Sequence, residues 1–289
     1  MKISTILKEN RRSVSIEVFP PKTDSSFETV RLATEEIASL APSFMSVTYG
    51  AGGGTSKYTL EIAKNIMKKH SVPSLAHLTC VSSTRETVRC RIDDMKNAGI
   101  KNVMALRGDI PKDTDDCPRD YKYAYQLVEE LRASDADFCI GGACYPEGHP
   151  ESANEREDMM HLRHKVDCGL DFLTTQMFFD NSLFYRFVER AASFGIDLPV
   201  IPGIMPITAT SQIDRVVALS GSYMPREFIS MVEKYDKDPV SMKQAGIIYA
   251  TEQILNLFDN GVSNVHLYSM NKPDVARAIL TNLSEVLVK

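Results

Sequence analysis

Residues 84–107, TRETVRCRIDDMKNAGIKNVMALR, hold the unit on which the fold turns. Amphipathic repetition at the helical period predicts a helix over 84–98, Gly99 ends it, and the short apolar run 102–107 predicts a strand. Outward from there the same unit recurs. Strands are predicted at 14–19, 44–49, 74–80, 102–107, 138–145, 172–178, 199–204 and 264–270, with helices near 26–40, 56–69, 84–98, 121–132, 152–168, 181–194, 209–219, 240–260 and 272–286. Gly169, Gly195 and Gly261 punctuate helix-to-strand junctions as Gly99 does.

Strand followed by helix, eight times over, predicts an α/β fold of the closed parallel (β/α)8 kind, a TIM barrel with outer helices. The competing architecture, a doubly wound open sheet, would carry a Gly-rich dinucleotide turn. Gly50-Ala-Gly-Gly-Gly54 comes nearest, but Thr55 stands where the third glycine of G-x-G-x-x-G belongs, and the Walker A spacing also fails. No linker or composition shift divides the chain, so residues 1–289 are expected to form a single catalytic barrel domain. The aperiodic polar stretch 109–120 is expected to cover the barrel mouth.

Composition narrows the function. The 289 residues are 43% hydrophobic and 25% charged, ordinary for a globular protein and adequate for a packed core. A formal charge of −5 argues against nucleic acid or anionic lipid as partner. The longest apolar runs fall well short of a membrane span, the start MKISTILKENRRS lacks a cleavable apolar segment, and the six cysteines are scattered; a cytoplasmic location is expected. Neither a structural zinc site nor any other metal is expected.

A barrel enzyme works at the C-terminal ends of its strands. Polar residues gather there: Glu17, Thr48, His77, Arg107 with Asp109, Tyr145, Gln176 and Tyr268. Alternation in VSIEVF puts Glu17 opposite to Val14, Ile16 and Val18, facing either outward beneath a helix or inward to the barrel axis. In either place desolvation is expected to raise its pKa and suit it to general acid catalysis. The bland alternative is a buried glutamate in an ion pair. Gly108 offers close approach of a flat ligand to the backbone. His161 and His164 have a metal-compatible i, i+3 spacing without the glutamate of H-E-x-x-H, which favours a polar or cofactor-facing helix side. No Ser-His-Asp or Cys-His arrangement is defensible, so nucleophilic hydrolysis loses ground to a bound aromatic cofactor or substrate.

Seven collinear motifs then become specific: Ile16-Glu-Val-Phe-Pro-Pro21, Ser46-Val-Thr-Tyr-Gly-Ala51, Ala76-His-Leu-Thr-Cys80, Ala105-Leu-Arg-Gly-Asp109, Tyr145-Pro-Glu-Gly-His-Pro150, Thr175-Gln-Met-Phe-Phe-Asp180 and Ile201-Pro-Gly-Ile204. From about residue 13 to 285 the chain resembles bacterial methylenetetrahydrofolate reductase, an FAD-dependent barrel family. The resemblance implies reduction of 5,10-methylenetetrahydrofolate to 5-methyltetrahydrofolate in one-carbon metabolism and methionine supply. It also implies FAD as the cofactor and NADH or NADPH as the electron source. Eukaryotic members of the family carry an added regulatory domain, and none is expected here; family members are commonly homo-oligomers, and a homo-oligomer is expected.

The same resemblance implies roles for residues. Glu17 falls on the general acid that protonates N10 of the folate, and Asp109 on the acid beside flavin and pterin. It places Thr48, Tyr49, Ala51, His77, Arg107, Gly108, Asp109, Tyr123, Ala124, Tyr145, His149, Asp158, His161, His164 and Lys165 around FAD, and Glu17, Asp109, Gln176, Gln212 and Lys272 around the substrate. His161 and His164 replace an Asn and an Arg of better-known members. Val216 replaces a Phe that stacks on the nicotinamide nucleotide, and Lys272 replaces an Arg near folate. Val216 leaves a second expectation open: a flavin subunit reduced through a partner protein. A third, non-enzymatic reading is a barrel that merely binds folate or flavin.

Overall fold

The computed structural model describes residues 1–9, 11–21, 23–49, 56–110, 120–213, 216 and 222–287. Its frame is one parallel sheet: β1 Ser13–Val18, β2 Met45–Val47, β3 Ser74–Thr79, β4 Asn102–Leu106, β5 Cys139–Cys144, β6 Phe172–Thr175, β7 Val200–Ile201, β8 Gly203–Ile204 and β9 Asn264–Tyr268. The hydrogen-bonded order is β7-β6-β5-β4-β3-β2-β1-β9-β8. Because β7 and β8 are consecutive in the chain, the sheet curls into a nearly closed barrel. The predicted seventh strand, 199–204, is therefore two short strands. Pro202 has no N–H to give to a ladder, and pairing switches there from β6 to β9.

Around the sheet lie α2 Phe27–Ala38, α3 Ser56–His70, α4 Arg85–Asn97, α5 Ala124–Ala133, α6 Glu155–Asp167, α7 Asn181–Ser193, α8 Arg226–Tyr235, α9 Pro239–Asp259, α10 Pro273–Asn282 and α11 Ser284–Leu287. Thr84 and Asn154 cap α4 and α6 by accepting from Thr87 N and Glu157 N. In α4 the predicted stripe is the one buried: Val88, Ile92 and Met95. Only 209–213 and 216 of the predicted helix 209–219 are described, 211–213 and 216 of them helical, and residues 111–119 of the predicted cover lie outside the described residues, as does Ala51. The predicted helix 272–286 is interrupted at Leu283.

Two helices were not expected from the pattern. One is α8; the other is α1, Ile3–Lys8, too short for a periodic signal. It closes the bottom of the barrel: Ile3 is fully buried with Phe44, Leu75, Met104, Cys139, Phe172 and Ile201, and its N–H donates to Asn102 Oδ1 at 2.7 Å. Alternation decides what lies above this apolar plug. The outward set, among them Val14, Ile16, Val18, Met45 and Val47, packs into the core beneath the helices. The inward set continues upward as Ser15, Ser46, His77 and His266, all buried and polar.

Candidate active site

The carboxylate of Glu17 lies inward, one pleat above that polar layer. Its register neighbours are Ser46 on β2 and Tyr268 on β9. Ser46 Oγ donates to Glu17 Oε2 at 3.3 Å and lies 3.0 Å from His266 Nε2, while His266 Nδ1 lies 2.7 Å from Ser15 Oγ. Ser15 Oγ donates to Val265 O at 3.1 Å and so can accept from a protonated Nδ1, while Ser46, donating to Glu17, can accept from a protonated Nε2; the His266 tautomer sets which of these two bonds is made. Phe44 stacks on His266 at 5.7 Å between ring centroids, holding the imidazole in place.

The expected rise in the Glu17 pKa is not what the row produces. Burial pushes the carboxyl up, but the His266 ring and the Ser46 hydroxyl, joined by His77 wherever that ring is protonated, outweigh it, so the group is held below the ordinary carboxylate value. His77 Nε2 is 3.7 Å from Glu17 Oε2. Burial brings the His77 pKa down to about 4 against the attraction of Glu17, so its ring is neutral at neutral pH. What holds the carboxylate ionised there is the hydrogen-bonded side of the row. Among the described residues the salt-bridge partners of Glu17 are two histidines, and not the Arg or Lys of the bland reading.

The other predicted residues fall into two groups on the C-terminal side of the sheet. One follows β4 and β5. Arg107 forms a bidentate pair with Glu151, both bonds 2.6 Å, and donates through Nε to Gly108 O at 3.3 Å. Gly108 has φ +88°, and a Cβ there would stand 3.0 Å from Thr79 Cβ. Asp109 is exposed where β4 leaves the barrel. Tyr145 meets the His149 ring edge-on at 4.6 Å, and His149 Nδ1 accepts from Glu151 N at 3.1 Å. A neutral His149 must then carry its proton on Nε2.

On α6, Asp158 is buried and accepts from Ser152 Oγ at 3.2 Å, and Lys165 Nζ donates to Ala143 O at 2.6 Å. Burial lowers the Lys165 pKa. His161 and His164 are exposed on the same helix, His164 resting edge-on against Tyr125 at 4.5 Å. Tyr123 and Ala124 begin α5, with Gln126 Oε1 accepting from Tyr123 N at 3.0 Å. Thr48 O accepts from Thr59 Oγ1 at 2.9 Å, and Tyr49 packs on the core.

The second group follows β6, β8 and β9. Gln176 Oε1 accepts from Met177 N at 2.9 Å. Gln212 Oε1 gathers Thr208 N, Thr208 Oγ1 and Ala209 N within 2.9–3.1 Å, and Lys272 Nζ donates to Thr208 Oγ1 at 2.8 Å. The two predicted substrate residues Gln212 and Lys272 therefore meet on Thr208, which no motif singled out. Val216 is 2% exposed, packed with Phe179, Phe228 and Met242. The sequence reading also passed over Ser15, Ser46 and His266; the signal for them is the same alternation that placed Glu17, carried into the neighbouring strands.

This polar row, sunk in a barrel mouth between the two groups, can be compared with known proteins. A family model described as methylenetetrahydrofolate reductase matches residues 2–284. The chain belongs to the methylenetetrahydrofolate reductase family. It is 34% identical over 275 residues to the 5,10-methylenetetrahydrofolate reductase of Pectobacterium carotovorum subsp. carotovorum, covering 95% of this chain and 91% of that one. The Escherichia coli (strain K12) enzyme of the same name is 35% identical over 271 residues, covering 94% and 90%. Against methylenetetrahydrofolate reductase (NADH) 1 of Arabidopsis thaliana, at 33% identity, the match takes in 98% of this chain but 50% of the plant chain.

Among solved structures, a Clostridium thermocellum protein described as binding two copies of 5-methyl-5,6,7,8-tetrahydrofolic acid superposes with a TM-score of 0.62 over 98% of this chain and 99% of that one. At 15% identity this likeness bears on the fold alone. No described helix is long and apolar enough to cross a membrane.

Proposed function

We propose that this family member reduces 5,10-methylenetetrahydrofolate to 5-methyltetrahydrofolate with FAD as cofactor and NADH or NADPH as electron source. The observation that carries the reading is the inward Glu17 on its Ser15–His266–Ser46 row: a carboxyl group held by hydrogen bonds on the inner face of the barrel. The reaction needs one proton at N10 as the N10–methylene bond breaks, and two electrons with a second hydrogen at the methylene carbon. Glu17 supplies the first. Ionised in the free protein, it gains a proton when the pterin covers its remaining 21% side-chain exposure, because further desolvation favours the neutral form.

The residues following β4 and β5 fit FAD. Lys165 is a half-buried cation placed to meet a diphosphate, His77 Nε2 is an enclosed polar atom without a hydrogen-bond partner among the described residues, and Tyr145, His149 and Arg107 present flat faces. FAD, when bound, carries electron pairs from the nicotinamide to the folate. Asp109, exposed at the rim, would place a negative charge beside bound FAD and so favour electron release from it. Gln176, Gln212 and Lys272 orient the folate, with Lys272 suited to a carboxylate.

Purified protein should be yellow, release FAD on heating, and bleach within a turnover when NADH or NADPH is mixed in a stopped-flow instrument. Glu17→Gln should stay yellow and folded while losing most folate reduction; unchanged turnover refutes the assigned role. A second reading, electron delivery by a partner protein, is favoured by Val216 lying within an apolar cluster rather than on an open face. Failure of both nicotinamide nucleotides to bleach the flavin selects it.

A further inference from the structure

The barrel wall has a seam. β7 pairs with β6 through Leu173–Val200 and Thr174–Ile201, and β8 pairs with β9 through Gly203–His266 and Ile204–Leu267. Above Pro202, therefore, β6 loses its ladder on that side, and the carbonyl of Thr175, its last residue, faces the gap. A buried carbonyl left unpaired is costly. Tyr268 meets it, donating from Oη to Thr175 O at 2.6 Å, while Thr175 Oγ1 accepts from Gly203 N at 2.9 Å. A Cβ on Gly203 would stand 2.5 Å from the Tyr268 ring and hydroxyl and 2.6 Å from Thr175 O, so the seam is cut to the shape of the phenol. Burial holds the Tyr268 pKa well above its ordinary value, which keeps the hydroxyl a donor at any pH the fold tolerates.

Both ends of this bridge carry the site. Tyr268 is the register partner of Glu17, and its ring meets His266 edge-on at 5.5 Å. Thr175 immediately precedes Gln176, whose N–H donates to Cys144 O at 2.8 Å. The acid and the amide thus stand on rows that, across the gap, are joined by the Tyr268 phenol and the Thr175 hydroxyl in place of a ladder.

We propose that Tyr268 is a positioning residue for the folate reaction: by stitching the seam to Thr175 it sets the spacing between Glu17 and Gln176 at which the pterin is gripped. The inference rests on the folate-reductase reading above. It assigns the bridge to substrate capture, and leaves flavin binding to the other side of the barrel.

The test compares Tyr268→Phe, Thr175→Val and Thr175→Ser as FAD-loaded enzymes. Phe keeps the packing against Gly203 and removes only the donor; Val removes the acceptor for Gly203 N, and Ser retains it. Expected for Tyr268→Phe is a KM for 5,10-methylenetetrahydrofolate raised fivefold or more, with kcat within threefold and flavin content and spectrum unchanged. Thr175→Val should follow it and Thr175→Ser should match the wild type. A KM rise below fivefold, or a fall in kcat and flavin content without a KM change, overturns the proposal. Should Tyr268→Phe fail to fold, Gly203→Ala, whose Cβ would stand 2.5 Å from the phenol and 2.6 Å from Thr175 O and so displace the bridge, decides by the same thresholds. A wild-type enzyme that leaves the folate unreduced removes the functional reading and this inference with it; an active wild type beside an unaltered Tyr268→Phe removes the inference alone.

Discussion

His77 Nε2 stands 3.7 Å from Glu17 Oε2, enclosed and without a hydrogen-bond partner among the described residues. Burial holds this ring neutral, its pKa down at about 4 from an ordinary 6.5. A group whose pKa is depressed on folding contributes stability above its unfolded value and loses it as pH falls through the folded one. His77 should therefore make the protein acid-sensitive between pH 6.5 and 4, by at most about 3 kcal/mol. Thermal melts of wild type and His77→Gln across that window should diverge: the wild-type midpoint falls more steeply on acidification. Parallel curves would show that the ring does not titrate on unfolding.

Glu17 is held below its ordinary value in the free protein, and covering it should push it up. Folate binding is therefore expected to take up close to one proton near neutral pH. Mixing protein and folate in a weak buffer with an indicator dye reads this directly, and Glu17→Gln should abolish the uptake. Equal uptake by the variant would place the proton elsewhere.

Lys165 is a half-buried cation whose described hydrogen bond goes to a neutral carbonyl, Ala143 O. If it serves the FAD diphosphate, Lys165→Met, which fills the same space without charge, should leave the melting temperature of the apoprotein unchanged or higher and weaken FAD binding about 10- to 100-fold, the worth of one charged hydrogen bond. Flavin fluorescence titration measures it. A lowered melting temperature with unchanged FAD affinity would mark Lys165 as purely structural.

Gly246 on α9 lies against the segment that carries Thr208. A Cβ there would fall 1.8 Å from Ile207 O, too close for any side-chain adjustment to relieve. Gly246→Ala should cost about 3 kcal/mol or more in denaturant unfolding. It should also weaken folate binding more than FAD binding, because Thr208 supports Gln212 and Lys272.

Much of the candidate site was legible beforehand, for a reason of geometry. In a parallel barrel every strand ends at the same rim, so polar residues at strand ends converge whatever their separation in sequence. Glu17, Tyr145 and Gln176 could be found that way. Alternation also implied that Ser15 shares a face with Glu17, but a hydroxyl or imidazole within an apolar strand has many bland explanations until its partner is known. His266 acquires its meaning only beside Ser15 and Ser46, which lie 251 and 220 positions away. Helix α1 was missed because its six residues are too few to repeat.

By itself, then, the sequence determined the alternation of strand and helix, the class of barrel, and which face of each strand is polar, since these follow from local periodicity and backbone chemistry. Two things were decided only by tertiary structure. One is the sign of the Glu17 shift: burial alone predicts a rise, and the outcome belongs to groups brought from three other strands. The other is the seam at Pro202, where loss of a single N–H divides a strand and leaves a distant phenol to complete the wall. Electrostatic and hydrogen-bond terms of this kind depend on distances of a few ångströms between residues remote in sequence, and a linear pattern does not carry those distances.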